Sequence, residues 1–251
     1  MSSLPQVTRL KDENMRAFAY RVLFACIREI ILPPGYAMSE AKMAKELMIS
    51  RTPVHDTFAR LYREGLLEIA PQSGTFVRCL DPESIKELRW INLTMDKSVF
   101  GQLYSLRPSR EQLKPLDICC DETFTAIREH RYQAVSGFAY RFRREMYHLA
   151  GYDTAYSMID RISFDLYRLL RLVTDEKILN SIAALQTEVF EALLLHDHEA
   201  ACRAADRCFE QVEPALESVK ASCPGYFIGG SAGSLPAPSG KETEKRIGRL
   251  S

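Results

Sequence analysis

One stretch constrains this chain more than any other: Met38 to Val77, MSEAKMAKELMISRTPVHDTFARLYREGLLEIAPQSGTFV. Met43, Ala44 and Leu47 have the spacing of the inner stripe of a short helix, and Val54, Phe58 and Leu61 that of a second, longer one. Met48 to Ser50 lie between them and carry no stripe. A short hydroxyl side chain accepts a bond from the free N–H groups of a helix's opening turn, so Ser39 and Ser50 are each expected to cap one helix. Pro53 falls within the first turn of the second helix, where a missing N–H costs nothing. Two short helices joined by a tight turn make a helix-turn-helix. Gly65 suits the left-handed position past a helix end. Leu66 to Ala70 and Thr75 to Arg78 are short apolar or β-branched runs flanking the turn sequence Pro71-Gln72-Ser73-Gly74. A two-stranded ribbon attached to a helix-turn-helix is a winged helix.

The helix, the Glu64-Gly65-Leu66 junction and the wing, in that order, resemble the GntR family of bacterial transcription regulators. The family's usual run is Ser/Thr-Arg-x-x-Val-Arg-Glu-Ala-Leu, then Leu-x-x-Glu-Gly-Leu, then a wing ending in Gly-x-x-Val. The matching segment here is SRTPVHDTFARLYREGLLEIAPQSGTFV, and the resemblance covers residues 15 to 78 without a gap. It implies a recognition helix whose N-terminal residues meet base edges in the major groove. With Val54, Phe58 and Leu61 turned inward, Arg51, Thr52, His55 and Asp56 occupy the outer, leading end. Arg51 matches a DNA-contacting position of the family, and a guanine edge or a phosphate is its expected partner. His55 departs from the pattern, which usually has Arg there. Histidine offers at most two donors and is mostly neutral near pH 7, so a different operator preference or affinity is expected. Ser73 and Gly74 at the wing tip are expected near the minor groove or a phosphate, since glycine lets backbone come close. The expected DNA-facing set is therefore Ser39, Ser50, Arg51, Thr52, His55, Ser73 and Gly74.

With 251 residues the chain exceeds what one small core needs, so two domains are expected. Its 33 basic and 33 acidic residues balance, which removes any global attraction for nucleic acid. The balance is uneven, however: residues 1–80 hold 11 Lys/Arg against 8 Asp/Glu, a net of +3 that suits a DNA-binding front half. The seven cysteines are odd in number and show no metal spacing. Nothing at the start reads as a signal peptide, and no apolar run approaches membrane-spanning length. A cytoplasmic protein with reduced thiols and no membrane partner is the expectation.

Residues 1–11 are polar and without period, which predicts a loose arm. From Asn14 to Leu32, Phe18, Val22, Ala25, Cys26 and Ile30 line one face of a helix stopped by Leu32-Pro33-Pro34-Gly35. From Glu83 to Val219 strand alternation is absent, and six helices are predicted: 82–104, 109–129, 131–150, 154–173, 176–195 and 197–220. Junctions of a few residues favour antiparallel neighbours. After Ser222, Gly, Ser and Pro dominate. The predicted fold is mainly α: an N-terminal winged helix-turn-helix domain at 12–80, an all-α antiparallel helical bundle at 82–221, and a flexible tail at 222–251.

ELRWINLTMDKSVF, FRREMYHLAGYDTAY and FEALLLHDHEAACRAADRCFE resemble, more loosely, the FCD domain of the family's FadR branch, an effector-binding domain. Many FCD domains hold a divalent metal with one Asp and three His, and small carboxylate effectors complete its coordination. Those four positions fall on Ala139, Arg143, Gln186 and Cys208, so none of the expected ligands is kept, and neither metal nor other cofactor is expected. Arg143 is expected to replace the cation, since a guanidinium fork fits a carboxylate. Asn92, Tyr147, Gln186 and Cys208 would line the cavity with it. The resemblance thus implies a homodimeric regulator, most simply a repressor, that binds a near-palindromic DNA operator and a small acidic effector. If Arg143 instead faces solvent and the cavity has closed, the chain is a constitutive DNA-binding protein with a decayed effector site. His196-Asp197-His198 reads as a solvated corner. No nucleophile–base spacing, Gly-rich phosphate loop or HExxH is found, so no enzyme is expected.

Overall fold

A computed structural model of the chain describes residues 4–230. The chain divides after Leu80 and again after Ser222. The first unit joins the N-terminal part to the segment from Cys223, and Asp81–Ser222 forms the second.

In the first unit, α1 (Met15–Arg28) is capped by Asn14, whose side-chain oxygen accepts the Ala17 N–H at 2.9 Å. It buries Phe18, Val22, Cys26 and Ile27. It ends short of Leu32 because Ile30 takes the left-handed conformation (φ 59°), and the N–H groups of Ile31 and Leu32 turn back to the Cys26 carbonyl. A helix could not have reached Pro33 in any case, since proline pushes the residue before it out of the helical region. Next come β1 (Ala37–Met38), α2 (Glu40–Leu47), α3 (Arg51–Arg63), β2 (Leu67–Ala70) and β3 (Gly74–Val77). The strands form an antiparallel sheet in the order β1-β3-β2, with Met38 opposite Thr75 and Glu68 opposite Phe76. The two-residue β1 is too short to show alternation, which is why the ribbon reads as two-stranded from sequence. The arm is also less loose than its composition predicts. Leu4 is buried, and its N–H donates to the Glu46 carboxylate at 3.0 Å.

The second unit is a bundle of helices: α4 (Pro82–Leu106), α5 (Arg110–Arg128), α6 (Tyr132–Leu149), α7 (Asp153–Ile162), α8 (Phe164–Leu172), α9 (Glu176–Leu194), α10 (His198–Glu210) and α11 (Val212–Ser222). Helix α5 opens with a capping box, in which Ser109 and Gln112 each bond the other's backbone N–H. The core between α4, α5, α6, α9 and α10 is filled by Phe100, Leu103, Leu116, Phe142, Phe190 and Ala201, among others. Periodicity predicts six helices here, and the described residues form eight. The predicted helix 154–173 is broken at Ser163, whose buried hydroxyl pairs with the Asn92 side chain and whose carbonyl accepts the Tyr140 hydroxyl. The predicted helix 197–220 is broken at Gln211. Pro214 lacks the N–H that would bond Glu210, and its ring crowds that carbonyl.

The tail expectation needs correction over its first residues. Pro224–Tyr226 form a 3₁₀ turn, and Phe227 bridges in parallel to Leu80. Leu80 donates to the Tyr226 carbonyl at 2.8 Å and accepts the Ile228 N–H at 3.0 Å. Tyr226 and Phe227 are buried. Glycine and proline here serve a turn, and two aromatic side chains provide the apolar surface that a flexible segment lacks. The rest of the predicted tail, residues 231–251, lies outside the described residues. Phe227→Ala is expected to destabilise the full chain by about 3 kcal/mol in chemical denaturation, the cost of emptying a buried aromatic site. An unchanged midpoint would show that the segment is passive.

Candidate functional site

The recognition helix is set by its inner face. Val54 and Leu61 are fully buried and Phe58 nearly so, and the Thr57 hydroxyl is buried against the Pro53 carbonyl at 2.8 Å. That anchoring turns Arg51, Thr52 and His55 outward, and all three side chains are accessible. Arg51 stands in the first turn of α3 and makes no hydrogen bond or ion pair with any described residue. Thus a free guanidinium sits at the leading end of the helix. Ser39 caps α2 as expected, accepting the Lys42 N–H at 3.4 Å. Ser50 occupies the cap position of α3, but its hydroxyl makes no capping bond, contrary to expectation. Its backbone is extended (ψ 164°), the usual cap conformation, and the hydroxyl is left available.

His55 accompanies Arg51 on the outer face, and its Nδ1 lies 2.9 Å from the Glu40 carboxylate of α2. That hydrogen bond, reinforced by the carboxylate's charge, raises the imidazole above its ordinary value. The neighbouring Asp56 is tied to Arg16 of α1 at 2.7 Å, which offsets an acid that would otherwise face a polyanion. At the wing, Gln72 (φ 64°) and Gly74 (φ 119°) take left-handed conformations, and Ser73 and Gly74 are exposed at the tip. Nothing lies within 4 Å of a side chain added at Gly74, so the glycine answers to backbone conformation and not to local crowding.

The helical unit contains a cavity of about 160 Å³. Ala139, Arg143, Gln186 and Cys208, the four positions that the sequence resemblance equates with metal ligands, all line it. Brought together, they do not form a metal site: alanine cannot ligate and arginine is a fixed cation. Among the described residues no group of three His, Cys, Asp or Glu is arranged to hold a metal. The other two predicted residues, Asn92 and Tyr147, are fully buried and do not line the cavity.

They act through a residue that the sequence reading missed. Asp96 is 5% exposed, and its carboxylate accepts Arg143 Nε at 2.8 Å and the Tyr147 hydroxyl at 2.9 Å. The terminal nitrogens of Arg143 donate to the side-chain oxygen and the backbone carbonyl of Asn92. Burial pushes the Asp96 carboxyl above its ordinary range while the guanidinium draws it back. Burial also works against the guanidinium, but the facing carboxylate holds it charged. Burial raises the Cys208 thiol to about 12, so that wall stays neutral. Arg143, expected from sequence to face an acidic effector, thus has a carboxylate of its own chain beside it. The available signal was position. Asn92, Asp96, Val99 and Leu103 recur at helical spacing on the buried face of α4, where a carboxylate needs a partner.

Removing one member of a buried ion pair leaves the other uncompensated. Asp96→Ala is expected to cost about 3–5 kcal/mol of stability, read from denaturant unfolding, and a loss near zero would mean that the pair is solvated.

Residues 16–77 match the family model described as bacterial regulatory proteins, gntR family. The chain is 35% identical over 85 residues to an uncharacterized HTH-type transcriptional regulator in the TAR-I ttuE-ttuC' intergenic region of Agrobacterium vitis. That match spans 34% of this chain and half the length of the relative. It is 21% identical over 209 residues to the HTH-type transcriptional repressor RspR of Escherichia coli K12, covering 83% of this chain and 91% of the relative. The fold matches that of E. coli McbR/YncC, with a TM-score of 0.69 at 17% identity over 82% of this chain and 98% of the other. No helix of the described residues is long and apolar enough to cross a membrane. With a winged helix in place and the family's pattern running through it, residues 16–77 are a helix-turn-helix DNA-binding domain of the gntR type, the kind found in bacterial transcription regulators.

Proposed function

We propose that the chain is a one-component repressor whose winged helix reads a near-palindromic operator and whose helical unit binds a small-molecule effector that controls operator binding. The observation that carries the reading is the unpaired, exposed Arg51 at the first turn of a recognition helix anchored by Val54, Phe58 and Leu61. Ser39, Ser50, Thr52 and His55 supply further polar contacts, and Ser73 and Gly74 bring the wing tip to the sugar-phosphate backbone. A homodimer sets two recognition helices about one helical turn of DNA apart. Exposed apolar side chains of the helical unit, notably Trp90 (69% exposed) and Met158 (67%), support such pairing. The direction, repression, follows the resemblance to a named repressor.

The cavity supports the effector role over the rival of a constitutive DNA-binding protein. A decayed site in a well-packed bundle would have closed, since interiors pack to the density of organic crystals. Effector control requires two placements of the reading units, of which the ligand favours one.

Arg51→Ala is expected to abolish preference for the operator over random duplex while leaving the circular dichroism of the helices unchanged. The salt dependence of the residual binding is expected to fall by about one unit of slope if Arg51 meets a phosphate, and to hold if it meets a base. Equal affinity and an equal footprint would mean that α3 does not read DNA. His55 gives a second test. Glu40 raises its pKa, so the cationic imidazole persists to a higher pH than in a free histidine and is lost as pH rises through the raised value. Operator affinity is expected to weaken across that window, and His55→Gln to flatten the profile. A wild-type profile without slope there would remove His55 from the interface.

A further inference from the structure

We infer that the cavity of the helical unit takes an uncharged, largely apolar molecule of about one ring, and not an anion. The inference rests on the effector role proposed above and specifies the ligand's chemistry.

Charge is the first argument. The single guanidinium on the wall faces a carboxylate 2.8 Å away, with the arginine side chain 11% exposed and the carboxylate side chain 7%. Each terminal nitrogen of that guanidinium also donates to Asn92, one to its side-chain oxygen and one to its backbone carbonyl. The third hydrogen-bonding neighbour, Tyr147, spends its hydroxyl on the same carboxylate. An entering anion would have to displace Asp96 from its partner or lie beside it. Either course leaves a buried negative charge without compensation, among the costliest arrangements inside a protein. A neutral ligand disturbs nothing.

The rest of the wall is the second argument. Phe100, Phe142, Leu169, Ile182, Val189 and Phe209 are among the apolar side chains that line it. Of the uncharged polar groups there, Tyr140 already donates to the Ser163 carbonyl at 3.0 Å, and the Gln211 amide reaches the Arg207 carbonyl at 3.5 Å. The Gln186 amide makes only a weak contact, 3.8 Å from the Cys120 sulfur. That leaves Gln186 as the one strong directional handle for a hydroxyl or amide on an otherwise apolar ligand. Size is the third argument. At about 160 Å³ the space is close to the roughly 150 Å³ of an apolar cavity known to admit benzene.

Benzyl alcohol and benzoate share a ring and differ in charge, so they serve as probes on the full-length protein by calorimetric titration near pH 7.5. Benzyl alcohol is expected to bind saturably and about tenfold or more tightly than benzoate. Ala139→Leu, which fills the cavity from α6, is expected to abolish binding of both. Asp96→Asn leaves Arg143 without its counter-charge and is expected to reverse the preference. If that variant does not fold, the wild-type comparison and Ala139→Leu still decide. Benzoate binding wild type as tightly as benzyl alcohol would overturn the inference while keeping the cavity as a ligand site. Binding of benzyl alcohol that survives Ala139→Leu would place it elsewhere and overturn the inference, as would a failure of both probes to bind. Cavity binding that leaves operator affinity unmoved would uphold the ligand class and sink the effector role.

Discussion

A charge inside a helical bundle must find its opposite, and the pairing of Arg143 with Asp96 organises the second unit around that requirement. The carboxylate comes from α4 and the guanidinium from α6. Each brings neighbours to complete its hydrogen bonds: Tyr147 from the turn below Arg143, and Asn92 from the turn before Asp96. Asn92 in turn engages Ser163 in the break between α7 and α8, and Tyr140 bonds the Ser163 carbonyl. A connected polar layer thus fixes three segments against one another within an apolar core. A half-satisfied network would be worse than none, so the register of α4 on α6 has little freedom.

The same layer sets the charge at the cavity wall. In the resemblance, a metal supplies positive charge at this depth. Here a guanidinium occupies that place, and a carboxylate from the adjoining helix faces it at 2.8 Å. With the guanidinium facing a carboxylate of its own chain, the rest of the cavity wall is mainly apolar. In the first unit the logic is reversed. Acidic groups near the recognition helix are occupied, Glu40 by His55 and Asp56 by Arg16, while Arg51 is left free. Counter-charges are satisfied where they would repel DNA and withheld where they would compete with it.

How far the sequence reaches depends on whether a signal is local. The recognition helix was legible because Val54, Phe58 and Leu61 announce its buried face and Pro53 and Gly65 mark its ends. The wing was legible because turn residues separate two short apolar runs. The break at Ser163 was not, since the partner of its buried hydroxyl is Asn92, 71 residues away. The break at Gln211 had a local sign in Pro214, but the strong apolar period on both sides masked it. Asp96 was not legible because a carboxylate next to a lysine, here Lys97, ordinarily marks a solvent face, and only the partner on α6 reverses that reading. Residues 223–230 misled by composition: glycine and proline suggest flexibility unless the aromatic pair that follows is weighed against them.

Because Phe227 pairs with Leu80, the winged helix is a discontinuous domain with the whole of Asp81–Ser222 inserted between two of its neighbouring backbone segments. Synthesis delivers its helices first and its closing segment last. On the ribosome the DNA-reading unit therefore waits, incomplete, until the helical unit has been made. A chain that stops before Tyr226 lacks the aromatic pair buried in this unit.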